Sequence, residues 1–450
     1  MKVILLVSWD YFSSYGGAQI YVKNIALCLA RLGVELNIVS ITAAGKNSAP
    51  DIKKIQINDI CVFQISLASD RSNHQIPLEL SEEFCLTLEK IVQVIEPDLI
   101  HAHGWKAAAA LVAHRLGIAC VITAHHGGIV CPNGLLMNDD EDNCNLPASE
   151  KNCLSCALSF VPGGGLWRPL VHLMTSTSRL SLAKKLRGLR NIPYVSPAFQ
   201  VPLGIAHKQA QIAAMRQAQC FIAPSRAIAD ALLVNGFSGD RVKVIPHGVP
   251  PLLKQPIQPG YPGRPLRLGY VGRVNYIKGL HVTLAALQRL PKPLAVEFHV
   301  YGEAVTKAEK TYSRRLQAIS QHLKVTWHGK IAHEHIGKAY QDIDVLLLSS
   351  ICTEIFGLTL LEALSVGRPV IATQCGGPKD IITDGEDGFL VPTNDADALA
   401  NTIQRFIDQP DLLHRMASQI KPINTLQDHV TDLLAVYAAA RAPTQIGTAI

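Results

Sequence analysis

Apolar residues along this chain come in short runs separated by stretches of helical spacing, and the alternation recurs through most of its length. Val3 to Val7 is an unbroken apolar run, so a buried strand is expected over 2–9, since strands covered on both faces lack polar alternation. Ser13-Ser-Tyr-Gly-Gly17 reads as a glycine turn, and Ala18 to Leu32 as a helix stopped by Gly33. Val34 to Ile41 is the next strand. A short strand over 97–103, an Ala-rich helix to Leu116 and a strand from Ala119 to Ala124 follow, the last ending at His125-His126. Strands alternating with helices predict a parallel sheet with helices on both faces.

The pattern then breaks. Pro250, Pro251, Pro256, Pro259, Pro262 and Pro265 crowd one stretch together with Gly260 and Gly263. Such a segment is stiff and helix-free and marks a domain boundary. Beyond it the alternation restarts, with strand 266–271, helix 279–290, strand 294–301, helix 307–322 and strand 324–328. A buried strand within 344–350, a helix from Leu358 closed by Gly367, and a strand opening at Val370 complete the series.

The expected fold class is α/β, with two Rossmann-like doubly wound domains facing across a cleft and ligand at the carboxyl ends of the strands. The expected boundaries are an N-terminal domain over 1–249, a linker over 250–265 and a C-terminal domain over 266–425. Residues 426–440 have helical spacing, and 426–450 are expected to pack back on the N-terminal domain.

Composition narrows the function classes. The chain has 450 residues, 48% hydrophobic and 17% charged, which excludes a disordered protein. A net charge of +6 is too diffuse to indicate nucleic acid, but suits an anionic substrate or membrane surface. The N-terminal apolar run is too short for a targeting segment, and no segment reaches the length of a membrane span. Most of the eleven cysteines sit singly in apolar runs, as at Cys28, Cys85, Cys120 and Cys220, which suits a reducing cytoplasm.

The most informative segment is Glu354-Ile-Phe-Gly-Leu-Thr-Leu-Leu-Glu362. Its first carboxylate falls on a strand-to-helix turn and its second about a helical turn further on. Phe356-Gly357 presents the helix N-terminus, whose free N–H groups favour an anion. Phosphate at the helix tip, with carboxylates at hydroxyls on either side, is how an enzyme would hold a nucleotide sugar. In Gly272-Arg-Val-Asn-Tyr-Ile-Lys-Gly279, Arg273 and Lys278 flank a turn after a strand, a placement that can neutralise a diphosphate. Gly16 and Gly17 follow the first strand and let backbone approach a ligand. His125 ends a strand, with His101 and His103 one strand earlier to support it.

These motifs, with Ile245-Pro-His-Gly-Val249, Ala223-Pro-Ser225 and Gly385-Glu-Asp-Gly-Phe-Leu-Val391, occur in an order that resembles the retaining glycosyltransferases of family 4, with the two-domain GT-B fold. The resemblance covers nearly the whole chain and is strongest over 220–400. It implies that Arg273 and Lys278 bind the donor diphosphate and stabilise the leaving group. It implies that Glu362 holds the ribose, that Glu354 contacts the transferred sugar, and that Phe356, Gly357 and Leu358 contact phosphate or sugar through backbone. His125 would lie near the donor sugar, and Gly17 against the diphosphate or sugar. No metal would be needed for transfer. The expected reaction moves a hexose from a UDP- or GDP-sugar to a glycan or lipid-linked acceptor in polysaccharide or glycoconjugate biosynthesis. Two other readings stand beside it: a non-catalytic binding or regulatory subunit of the same fold, and a nucleotide-sugar 2-epimerase.

Two segments stand apart. Cys131, Cys144, Cys153 and Cys156 fall in an insertion over about 127–165, and their single C-x-x-C allows a structural zinc, with free buried thiols as the alternative. Residues 166–200 carry Trp167, Arg168, Arg179, Lys184, Lys185, Arg187 and Arg190 among apolar residues. That pattern suits peripheral contact with an anionic membrane, or equally a solvated helix near the acceptor. The protein is expected in the cytoplasm, at the inner face of the membrane.

Overall fold

The computed structural model describes residues 1–12, 16–44, 51–68, 77–138, 144–161, 196–252, 263–293, 295–332 and 335–442, with six isolated positions between 164 and 181. The chain divides into two compact units: Met1–Pro246 with Leu426–Ile450, and His247–Thr425. His247, Gly248 and Val249 thus belong with the second unit. There Val249 N donates to Asn424 O at 3.2 Å, and Val249 buries its side chain with Phe356 and Leu361.

Among its described residues unit 1 has eight strands: β1 (Lys2–Val7), β2 (Glu35–Ala44), β3 (Asp51–Ile57), β4 (Ile60–Ala68), β5 (Leu99–Ala102), β6 (Ala119–Thr123), β7 (Cys220–Ala223) and β8 (Val242–Val244). Their order across the sheet is β3-β4-β2-β1-β5-β6-β7-β8. The first apolar run is strand where it was expected, with Val3 to Val7 all 0% exposed. The expectation of an all-parallel sheet needs correction at one edge, because β3 and β4 pair antiparallel. The signal in the sequence was local, since Asn58-Asp59 makes the two-residue turn between the strands, Asn58 taking a positive φ of 49°. The helices Gly17–Arg31 and Leu426–Arg441 bury Val22, Ile25, Leu29, Val430, Leu433 and Tyr437 in one core with Leu5, Ile38 and Val121.

Among its described residues unit 2 has six parallel strands: β9 (Leu266–Val271), β10 (Val296–Tyr301), β11 (Val325–Gly329), β12 (Val345–Leu348), β13 (Val370–Thr373) and β14 (Gly388–Val391). They run β11-β10-β9-β12-β13-β14 across the sheet. Val345 and Leu347 enter one core, and Leu346 and Leu348 enter the other, on the opposite face. A strand buried on both sides leaves no position for a polar residue, which is why 345–348 reads as a continuous apolar run.

In both sheets the order reverses beside the first strand, between β1 and β5 and between β9 and β12. Loops leaving adjacent strands in opposite directions open a crevice at the carboxyl ends, where ligands bind in this architecture.

Candidate active site

In unit 2 the two loops at the reversal are pinned backbone to backbone. Gly279 has φ 66°, and a Cβ there would lie 1.8 Å from Ser349 O, so only glycine permits the approach. Ile351 N donates to Ile277 O at 2.9 Å, and Ser349 Oγ donates to Gly279 O at 3.0 Å. Asn275 caps the short 3-10 turn Tyr276–Lys278 by accepting from Lys278 N at 3.2 Å. This geometry aims Lys278 across the crevice at Glu354, with Nζ 2.9 Å from Oε1 and 2.6 Å from Oε2. Ser350 Oγ donates to the same carboxylate at 2.8 Å.

Glu354 is itself anchored by backbone. Its N–H donates to Cys375 O at 2.8 Å and its carbonyl accepts from Gly377 N at 2.8 Å. Burial pushes the Glu354 carboxyl up, but the Lys278 ammonium and its hydrogen bonds outweigh this and hold it below the usual carboxylate value. Burial likewise lowers Lys278, and Glu354 more than reverses it, so the ammonium is held above its ordinary value. The pair is fully ionised at neutral pH.

Arg273 leaves the same loop and meets a different carboxylate. Its Nε lies 2.8 Å from Glu309 Oε1 and its Nη2 3.0 Å from Oε2, with half its side chain exposed. Glu309 opens the helix Lys307–Ile319, where it forms a capping box with Thr306. The sequence reading missed Glu309, although the Thr306-x-x-Glu309 spacing is a helix-start signal. Arg273 and Lys278 therefore do not form one bare basic turn. Each carries a carboxylate partner.

The helix Leu358–Ser365 follows, with Gly357 at its N-cap in a left-handed conformation (φ 98°) and no side-chain cap. Phe356 is buried against His247, ring centroids 5.1 Å apart, so only its backbone is available to a ligand. Glu362 is 8% exposed and its Oε2 accepts from Tyr340 OH at 2.6 Å. Burial first, and then the Glu362 charge, raise the Tyr340 phenol well above its ordinary value.

Unit 1 repeats the arrangement with different groups. A Cβ at Gly104 would lie 2.3 Å from Ser8 N, so the loops after β1 and β5 pack as closely as their counterparts. Gly16 is the N-cap of Gly17–Arg31, with extended backbone and no side-chain cap hydrogen bond among the described residues. His125, after β6, has Nε2 2.8 Å from Nδ1 of His103, after β5. Burial, with Lys106 and Lys208 nearby, lowers the adjacent His126 to about 4. Lys106 Nζ, buried to 9% exposure, donates to His103 O at 2.5 Å.

The four cysteines of the insertion are free thiols. Cys131 Sγ donates to Asn133 Oδ1 at 2.8 Å, and Asn133 Nδ2 donates to Cys156 Sγ at 3.5 Å. Burial, then Cys131 and Cys144, push the Cys153 thiol up. Among the described residues no group of three or more His, Cys, Asp or Glu is arranged to hold a metal ion. The basic positions of 166–200 lie outside the described residues. No described helix is long and apolar enough to cross a membrane.

Comparison with known proteins bears on this geometry. Residues 254–422 match the family "Glycosyl transferases group 1", and residues 15–137 match "Glycosyltransferase Family 4". A D-inositol 3-phosphate glycosyltransferase of Arthrobacter sp. strain FB24 is 24% identical over 413 residues, 88% of this chain and 82% of that one. An alpha-D-kanosaminyltransferase of Streptomyces kanamyceticus is 28% identical over 165 residues, 36% of this chain and 42% of its own length. Among solved structures, Anabaena HepE in complex with UDP superposes with a TM-score of 0.64 at 17% identity, covering 98% of this chain and 100% of that chain. A sucrose-phosphate synthase of Thermosynechococcus elongatus has a TM-score of 0.64 at 20% identity, covering 97% and 98%. At such identities the structural likeness speaks for the fold alone.

Proposed function

This chain belongs to the group 1 glycosyltransferases with the two-domain GT-B fold, and from that premise we propose that it moves a hexose from a UDP- or GDP-sugar to a glycan or lipid-linked acceptor, with retention at the anomeric carbon. The observation that carries the reading is the Lys278–Glu354 pair at the β9/β12 reversal, beside the uncapped helix tip at Gly357. That Anabaena HepE was crystallised with UDP and glucose supports a nucleotide-sugar donor.

The costly step is expelling a nucleoside diphosphate from the anomeric carbon. Positive charge and helix-terminal N–H groups aimed at the developing phosphate charge are the expected lever. In this reading Arg273 turns from its exposed pair with Glu309 to the diphosphate, a small loss because exposed ion pairs contribute little. Lys278 is already oriented by Glu354, whose carboxylate accepts hydrogen bonds from the sugar hydroxyls. Glu362, fixed by Tyr340, accepts from the ribose. The acceptor hydroxyl attacks on the face the diphosphate leaves, and the departing phosphate oxygen takes its proton. Lys278 and Arg273 thus carry charge stabilisation, while Glu354 orients the sugar.

Incubation with a panel of UDP- and GDP-sugars tests this. Thermal stabilisation by one donor, with slow release of UDP or GDP, supports the reading; stabilisation without release supports a binding subunit. No response to any donor sinks it. The acceptor site and membrane contact are proposed for the inner face of the membrane, and failure to sediment with anionic liposomes at low salt would count against that. A structural zinc at the four cysteines would require thiols now hydrogen-bonded to turn toward one centre. Near-stoichiometric metal in chelator-free protein supports it, and metal-free protein ends it.

A further inference from the structure

A chain of buried hydrogen bonds adjoins the His103–His125 pair, joining Tyr437 and His429 of the helix Leu426–Arg441 and ending on the Pro246 carbonyl. Tyr437 OH lies 2.7 Å from His101 Nδ1, and His101 Nε2 lies 2.6 Å from Thr123 Oγ1. Thr123 is hydrogen-bonded to Tyr21, whose OH lies 2.8 Å from His429 Nε2. His429 Nδ1 closes the chain on Pro246 O at 2.8 Å. Apart from Tyr21 at 3%, every side chain of the chain is 0% exposed.

One group fixes the direction of all these bonds. The Pro246 carbonyl only accepts, so His429 Nδ1 carries the proton and, in the neutral ring, Nε2 is the acceptor. Tyr21 O–H therefore donates to His429, and its oxygen takes the Thr123 proton. Thr123 Oγ1 must then accept from His101 Nε2–H, which leaves His101 Nδ1 to accept from Tyr437 O–H. Burial holds both rings neutral, with His101 lowered to about 3 and His429 to about 4. Every donor and acceptor used is satisfied in this arrangement.

The chain holds both rings that flank His125. The Tyr21 ring meets His125 edge-on at 5.0 Å, and His101 packs on His103 at 4.1 Å between centroids. His103 in turn bonds His125 through opposed ring nitrogens at 2.8 Å. We propose that Tyr21, His429 and Tyr437 are positioning residues for His125, so that the C-terminal helix sets the orientation of this ring through two side chains a fixed distance apart on one face. The inference rests on the reading of His125 as the group facing the donor sugar.

The test uses the full chain, with Tyr437→Phe and Tyr21→Phe each made alone and in a His125→Ala background. Each Phe keeps the ring; Tyr437→Phe removes one hydrogen bond and Tyr21→Phe removes two. The expected result is that kcat falls about three- to tenfold for each neutral hydrogen bond lost, with donor KM within about twofold. The effect disappears in the His125→Ala background, because residues acting through one group are not additive. Ring nitrogen NMR of histidine-labelled protein should also show the His125 signals shifted in both single variants. Equal losses in both backgrounds, or unmoved His125 signals, overturn the positioning role while leaving His125 itself in place. If His125→Ala keeps full turnover, it is the active-site reading of His125 that fails, and the ring spectra alone then decide the positioning.

Discussion

Lys278 Nζ contacts both carboxylate oxygens of Glu354, at 2.9 and 2.6 Å, across two loops that leave adjacent strands at the point where the sheet order reverses. The partners are far apart in sequence and meet only because β9 and β12 lie side by side. Half-buried, the pair is mutually dependent: removal of either charge leaves the other uncompensated.

Lys278→Ala should therefore act twice. Transfer should slow by about a hundredfold or more, the scale of a lost leaving-group stabiliser. Stability should also fall, by about 3 kcal/mol or more, because Glu354 keeps a buried charge without its partner. Urea unfolding beside steady-state kinetics separates the effects. The double variant Lys278→Ala/Glu354→Gln should regain most of the stability and none of the activity. Near-normal turnover in Lys278→Ala would remove it from the site.

Arg273→Ala should slow transfer on a similar scale while barely changing stability, since its pair with Glu309 is half-exposed. A loss of about 0–1 kcal/mol is the range for such pairs. The check is thermal melting at two salt concentrations with kinetics on the same preparation. A large stability loss with unaltered kcat would make Arg273 structural.

Glu362→Ala should weaken donor binding more than it lowers kcat, with KM for the donor raised about tenfold or more by loss of a buried charge-assisted contact. Tyr340→Phe removes the 2.6 Å bond that fixes Glu362 and should move donor affinity in the same direction by less. Calorimetric titration with the nucleoside diphosphate measures both. Unchanged affinity in Glu362→Ala assigns this carboxylate to the core.

Gly279→Ala should be among the most damaging small substitutions in unit 2. It places a Cβ 1.8 Å from Ser349 O at φ 66°, so the two loops must part. A cost of about 2–4 kcal/mol is expected for combined backbone strain and displacement. Activity should fall with it, because those loops align Lys278 with Glu354. Wild-type stability in the variant would show that the loops do not pack so closely in solution.

Acid should destabilise unit 1 before the carboxylates titrate. His101, His126 and His429 ionise near 6.5 when unfolded, but burial lowers them to about 3, about 4 and about 4 in the folded chain. Below 6.5 the unfolded state binds more protons, so stability falls with falling pH and the loss saturates as each folded value is passed. Each histidine contributes at most about 1.4 kcal/mol per pH unit within its window. Denaturation midpoints measured across that window check this, and His429→Phe should flatten the slope by one proton. A pH-independent midpoint from neutral to mildly acid conditions would contradict the burial of these rings.

Much of the second domain was legible because its elements are locally encoded. The expected strand at 266–271 is Leu266–Val271, and the expected helix at 279–290 is Leu280–Arg289. The helix expected at 307–322 ends earlier, at Ile319. The β3–β4 hairpin and the strands β7 and β8 went unread, since β3 has no regular alternation and β7 and β8 are only four and three residues long. Of the site, the sequence supplied the residues of the two loops and the helix tip, each recognisable beside its own strand end.

What the sequence determined by itself was which side chains stand at the ends of which strands, because the apolar runs and glycine turns are properties of neighbouring residues. What only the tertiary structure decided was who partners whom: Glu309 with Arg273, Tyr340 with Glu362, and His103 with His125. Those pairings depend on strand order and on how closely loops approach. Local periodicity carries no information about either, because the same runs are compatible with many orders across a sheet. The hydrogen-bond directions around His101 and His429 went furthest beyond the sequence, for they follow from one carbonyl that the fold brings to the C-terminal helix.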